Sequence, residues 1–134
     1  MAILGSILKK AIELRGKLPA SRKTALKKQL LTLQQLMKKA EFTAFGEHYQ
    51  FSKKLKDKNF QSAFRGEIPA HDYNSMFKNW WYRCLNGEPF VCWPNHVKYF
   101  ALSSGTSEAS SKHIPVTRDM LKAIRKVSMR QTLS

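Results

Sequence analysis

Only one stretch of this chain is dense in β-branched and aromatic residues over the length of a strand: residues 97–102, VKYFAL. That composition predicts a strand largely buried on both faces. An extended segment resumes at His113, Ile114, Pro115 and Val116 after a polar loop, so the two form a strand–loop–strand unit. A lone pair of strands is marginal in water and needs helices packed against it. Nearly everything else repeats its apolar residues every three or four positions, the spacing of amphipathic helices. The expected class is therefore α+β, mostly helical with one short strand–loop–strand unit.

The helical part begins strongly basic. Residues 1–58 hold 14 basic and 4 acidic side chains, which is +10 of the formal net charge of +15 carried by all 134 residues. In residues 3–14, Ile3, Leu4, Ile7, Leu8, Ala11, Ile12 and Leu14 lie opposite Lys9, Lys10, Glu13 and Arg15, and Gly16 and Pro19 end the pattern. A second helix starts at Ser21 or Thr24 and carries the stripe Leu26, Leu30, Leu33, Met37 and Ala40, with Lys27, Lys28, Lys38 and Lys39 off it. The two predict a basic helical hairpin. Its lysines read as the solvated face of helices that bury their leucines, with a nucleic-acid surface and a membrane-surface helix as alternatives. Against nucleic acid, no exposed aromatics interleave with the lysines, and no RNP, zinc-finger or KH pattern accompanies them.

Several classes are excluded outright. No apolar run is long enough to form a transmembrane segment. The N-terminus places its apolar residues before Lys9 and Lys10, the reverse of a secretory signal, and Glu13 with the lysine bias argues against an organelle presequence. Cys84 and Cys92 are separated by seven residues and form no CxxC, while His48, His71, His96 and His113 are dispersed and form no HExxH. A reducing, cytoplasmic setting is the expectation.

In the middle of the chain, Phe42, Phe45, Tyr49 and Phe51 surround Gly46 and His48 and predict a packed helix-to-loop junction. Residues 53–59 read as a charged loop, followed by a short helix over 60–64. Ile68 and Pro69 break the chain, and Asp72 can cap a third long helix with Tyr73, Met76, Phe77, Trp80, Trp81, Cys84 and Leu85. Its aromatic face reads as core, with a stacking platform as the alternative. Asn86 to Pro89 turn the chain, and Thr117 can cap a last helix with Met120, Leu121, Ile124 and Val127 on its apolar side.

The loop between the strands carries the chemistry. Ser103, Ser104, Thr106, Ser107, Ser110 and Ser111 supply hydroxyls, Gly105 lets a backbone approach closely, and Lys112 adds a compact positive charge. Hydroxyls and backbone amides donate to phosphate oxygens, so the loop could hold a polyphosphate, although a serine-rich loop is equally a plain connector. Walker A fails, because Gly105 is the loop's single glycine and Lys112 precedes His113. GxSxG fails too, because Ala109 stands where its last glycine would be.

The string SSGTSEASSKHIP after a strand resembles the first phosphate-binding motif of the adenylate-forming superfamily. TAFGEHYQF at 43–51, IPAHDYNSMF at 68–77 and VKYFALSSGTS at 97–107 together resemble one branch, the auxin-responsive promoter family of acyl acid amido synthetases, known from plants and with bacterial homologues. The resemblance covers nearly the whole chain. It implies the N-terminal part of an α/β adenylate-forming fold, and an ATP-dependent ligase in which a carboxylic acid attacks the α-phosphate and an amine such as an amino acid takes the acyl group. It also implies that Ser103, Ser104, Gly105, Thr106, Ser107 and Lys112 grip the β- and γ-phosphates of ATP accompanied by Mg²⁺. Glu108 and Ala109 depart from the broader superfamily, which has a glycine after the second hydroxyl residue.

Members of that family are several times longer, so the resemblance implies that residues 1–134 are the N-terminal portion of a larger domain. Its parts would be a basic hairpin and linker (1–58), an aromatic helix region (59–96) and a phosphate-loop hairpin with a helix (97–134). The alternative is a small basic module for nucleic acid or another anion, without catalysis. The portion reading predicts that the purified 134-residue chain catalyses no acid-dependent ATP–pyrophosphate exchange; measurable exchange would refute it.

Overall fold

The computed structural model describes residues 22–103 and 111–132. The helix expected over 3–14, and with it the hairpin, lies outside the described residues. The chain divides into two units, Met1–Leu33 and Gln34–Ser134. In the described part of the first, the chain is helical, and the hydroxyl of Thr32 donates to the Lys28 carbonyl at 2.9 Å.

The helix α1 runs Arg22–Lys39 and is followed by α2 (Ala44–His48), α3 (Phe51–Lys54) and α4 (Phe60–Glu67). Next comes a continuous helical segment made of α5 (Tyr73–Met76), a π-helical turn (Phe77–Trp81) and α6 (Tyr82–Leu85). Strands β1 (Tyr99–Ser103) and β2 (Lys112–Val116) pair antiparallel, and α7 (Arg118–Thr132) comes last. The described residues are thus mostly helical with a two-stranded sheet, an α+β arrangement.

The stripe expected on α1 is buried only at its end. Leu26 is exposed, whereas Met37 and Ala40 are buried. Directly after them the chain turns sharply into α2. Buried Thr43 caps this helix: its Oγ1 accepts from the Gly46 amide at 3.1 Å and donates to the Ala40 carbonyl at 2.7 Å. A Cβ at Gly46 would stand 2.0 Å from the Ala40 carbonyl oxygen, so no side chain fits there. The first amides of α2 have no acceptor within the helix, and those of Ala44 and Phe45 donate instead to the carbonyls of Phe90 and Val91, both at 2.8 Å. A loop far along the chain is thereby fastened to α2.

Around that fastening lies the core. Trp80, Cys84 and Val91 are buried, and Ala44, Phe45, Tyr49, Met76, Trp81, Cys92, Val97 and Phe100 pack on them. Phe45 meets Trp80 edge-on at 5.2 Å between centroids. The aromatic face of residues 73–85 is therefore packing, as its spacing predicts. At the end of α7 nearest β2, Asp119 accepts from Lys39 Nζ at 2.5 Å and from the Trp93 indole nitrogen at 3.1 Å, with Lys122 Nζ at 3.9 Å. Lys39 foremost, and then the indole, hold the Asp119 carboxyl below the usual carboxylate range.

Two expectations are corrected. Residues 53–59 are not wholly a charged loop, because Lys53 and Lys54 belong to α3. Phe51 is buried there, and Lys54 is carried inward with it, its ammonium ion-paired with Glu67 at the end of α4. The strand expected to be buried on both faces begins two residues later, and Tyr99 and Leu102 are 58% and 64% exposed. Tyr99 and Leu102, three residues apart, project from opposite faces of the two-stranded sheet, so neither face is fully covered. The apolar side of α7 is open too, at Met120, Ile124 and Val127. No helix among the described residues is long and apolar enough to cross a membrane.

Substituting Gly46→Ala should destabilise the protein by about 3 kcal/mol, since the obstacle is a backbone carbonyl that cannot rotate away. Urea denaturation monitored by circular dichroism measures it, and a loss within error of zero would show that the α1–α2 junction shifts freely. The two cysteines are free thiols, and burial pushes Cys92 up to about 12 and raises Cys84 as well. Thiolate is the reactive form, so at pH 8 the native thiols should react with a disulfide reagent at least about a hundredfold more slowly than in urea. Equal rates in the two conditions would refute this.

Candidate phosphate site at the mouth of the hairpin

The strand register fixes which side chains are opposed. Tyr99 lies opposite Val116 at one end of the hairpin, and Ser103 lies opposite Lys112 at the other. The first hydroxyl and the lysine of the serine-rich loop are therefore cross-strand neighbours at the hairpin mouth. Cross-strand side chains stand about 5 Å apart at the Cβ atoms, close enough to serve one anion. Ser104, Gly105, Thr106 and Ser107 lie outside the described residues.

Lys112 is exposed and has no carboxylate partner among the described residues. Its ammonium rests over the ring of Tyr73, 5.2 Å from the centroid. The same ring's hydroxyl accepts the His113 backbone amide at 2.9 Å. Tyr73 thus grips β2 twice, once by the charge of Lys112 and once by the main chain beside it. A cation over an exposed ring is held by about 0.5–1 kcal/mol, enough to orient it without neutralising it.

Tyr73 is itself well held. It is the first residue of α5, whose cap is Asp72: Oδ1 accepts from the Ser75 amide at 2.7 Å, and the Ser75 hydroxyl donates to the Asp72 carbonyl at 3.1 Å. The Ser75 amide holds the Asp72 carboxyl below its ordinary value. The ring stacks on Phe77 at 5.7 Å and meets Trp81 edge-on at 5.9 Å. One residue before the cap, His71 Nε2 is hydrogen-bonded to the Tyr49 hydroxyl at 3.1 Å. Tyr49 and His48 in turn pack against Trp80. The histidines at 48 and 71 are packing groups, and no set of three metal-ligating side chains converges among the described residues.

The three stretches that carry the resemblance are thus joined physically. Residues 43–51 connect to 68–77 through Tyr49 and His71, and 68–77 connect to the hairpin through Tyr73. Sequence reasoning placed Tyr73 on the packing face and did not assign it to the site. The available clue was its position in IPAHDY, directly after the capping aspartate, where a side chain departs from the helix start rather than its middle.

A family model described as the GH3 family N-terminal domain matches residues 15–133. No match was found among curated proteins or solved structures. With nearly its whole length matched, the chain belongs to the GH3 family of acyl-adenylating enzymes, which includes the auxin-responsive acyl acid amido synthetases.

Proposed function

We propose that this chain is the part of an acyl acid amido synthetase that holds the β- and γ-phosphates of ATP. In the reaction, a carboxylate oxygen attacks the α-phosphorus, the bond to the β-phosphate breaks, and pyrophosphate leaves behind an acyl-adenylate. An amine such as an amino acid then attacks the acyl carbon, releasing AMP and forming an amide. The observation that carries this reading is the pairing of Ser103 with Lys112 across the hairpin mouth, with Lys112 resting on Tyr73.

The donor set suits a triphosphate. The loop supplies hydroxyls at Ser103, Ser104, Thr106 and Ser107, close backbone approach at Gly105, and the ammonium of Lys112, which has no carboxylate partner among the described residues. Their work is to orient the polyphosphate and offset its charge, which is most of what a protein contributes to phosphoryl chemistry. Mg²⁺ keeps several waters and binds largely through substrate phosphates, so it needs no dedicated cage, and Glu108 is the one carboxylate of the loop. When bound, the ion neutralises charge on the phosphates. The free thiols and the use of ATP fit a cytoplasmic setting.

The test is a titration of the ¹⁵N-labelled chain with sodium tripolyphosphate and, separately, ATP. Amides of Ser103, Lys112 and His113 should shift saturably. One charge-assisted bond contributes about 1.5–3 kcal/mol, so Lys112→Ala or Thr106→Ala should weaken binding about tenfold or more. Tyr73→Phe keeps the ring and should retain most of the affinity, whereas Tyr73→Leu frees both Lys112 and β2 and should lose about threefold. Binding indifferent to these residues, and falling steeply with salt, would replace this reading with a basic anion-binding module.

A further inference from the structure

The hairpin has a second end, and positive charge gathers there as well. Beside the Tyr99–Val116 pair, a cavity of about 460 Å³ is lined by Lys39 from α1, Lys98 just before β1, and Arg118 and Lys122 from the first turns of α7. Trp93 and His96 line it as well. Four strand steps separate this end from the Ser103–Lys112 pair, about 13 Å at the usual rise. It is a different place from the phosphate loop.

The charges there are not balanced. Asp119 is the single carboxylate of the lining, and it is already engaged by Lys39 and the Trp93 indole. Lys98 and Arg118 are exposed and have no acidic partner among the described residues. Four cations around one carboxylate repel one another, and an anion with several charges relieves that repulsion. The guanidinium of Arg118 offers a planar pair of donors suited to phosphate oxygens, and the lysines add compact charges. Thr117 also lines the cavity; its oxygen accepts the Met120 amide at 3.2 Å, which leaves its O–H to donate. The start of α7 adds the partial positive charge of a helix N-terminus.

The wall is also fixed in advance. Asp119 ties the end of α1, the 93–98 segment and α7 together, and Lys39 lies 5.6 Å over the Trp93 ring. Asn95, at a φ of 71°, receives the Phe90 amide at 3.3 Å and closes the loop that carries Trp93. A site held this way loses little freedom when it binds. From the cavity, its uncompensated cations and its distance from the loop, we propose a second anion site that takes a compact di- or triphosphate at the open end of the hairpin, beside the Tyr99–Val116 pair.

The experiment titrates the ¹⁵N-labelled chain with sodium pyrophosphate at constant ionic strength and monitors the Trp93 indole N–H, which faces Asp119. A saturable shift is expected. The double substitution Lys98→Gln with Arg118→Gln should weaken it at least tenfold, and both side chains are exposed, so the fold should survive, as a thermal melt checks. Lys112→Ala, at the other end, should leave the Trp93 titration unchanged. ATP titrated alongside separates the sources: tighter ATP binding assigns the cavity to a nucleotide tail, and tighter pyrophosphate binding to the free anion. Unchanged affinity in the double variant, loss of the Trp93 response in Lys112→Ala, or the same response to sodium chloride alone would each overturn the proposal.

Discussion

Just past the end of α1, the carbonyls of Ala40 and Glu41 lie against the backbone of α2 with no room for a side chain at position 46. That contact sets the direction of α2, and α2 in turn positions much of the core. Its free amides hold the Phe90–Val91 segment, its Phe45 ring reaches Trp80, and the turn after it presents Tyr49 to His71. The Thr43 hydroxyl accepts the buried Gly46 amide and, together with its own backbone amide, donates to the Ala40 carbonyl, which makes the geometry tolerable. A glycine and a threonine three residues apart thus organise a core whose buried members, Trp80, Cys84 and Val91, lie more than thirty residues away.

From that core, order passes outward through tyrosines. Tyr49 reaches His71, the neighbouring Asp72 caps a helix, and Tyr73 at its start receives both the main chain and the lysine of β2. Among the described residues, the Tyr73 ring steadies the hairpin mouth from the β2 side, and the sequence between the strands carries the hydroxyls.

Much of this was legible in the sequence, and the reasons are local. Asp72 and Thr117 announce helix starts by side-chain chemistry that needs only three residues of context, and both cap as expected. The helical part of the fold class and the packing role of the aromatic helix are read from periodicity, and the strand pair from composition. What local pattern does not encode is which partner an exposed-looking group will find. Lys54 reads as loop charge because its burial depends on Phe51 beside it and Glu67 thirteen residues on. The strand 97–102 reads as interior because its composition is apolar, yet burial depends on what packs against the two faces of its sheet. Tyr73 reads as core because its role at the hairpin is set by residues forty positions away. The cluster around Asp119 was missed for the same reason, since Lys39, Trp93 and Asp119 meet only in the fold.

The π-helical turn at Phe77–Trp81 has a geometric effect on all of this. In a regular α-helix, side chains four residues apart drift about 40° around the axis, so eight residues bring them to about 80°. Met76, Trp80 and Cys84 nevertheless share one cluster, and Tyr73, Phe77 and Trp81 share another set of ring contacts. A wider turn between them slows the rotation and keeps both rows straight. One row is an axle in the core and the other a rail along which the hairpin is seated, and the same loosened turn keeps them in phase. Removing a single residue from it would rotate α6 by about 100° relative to α5 and set the rail against the axle.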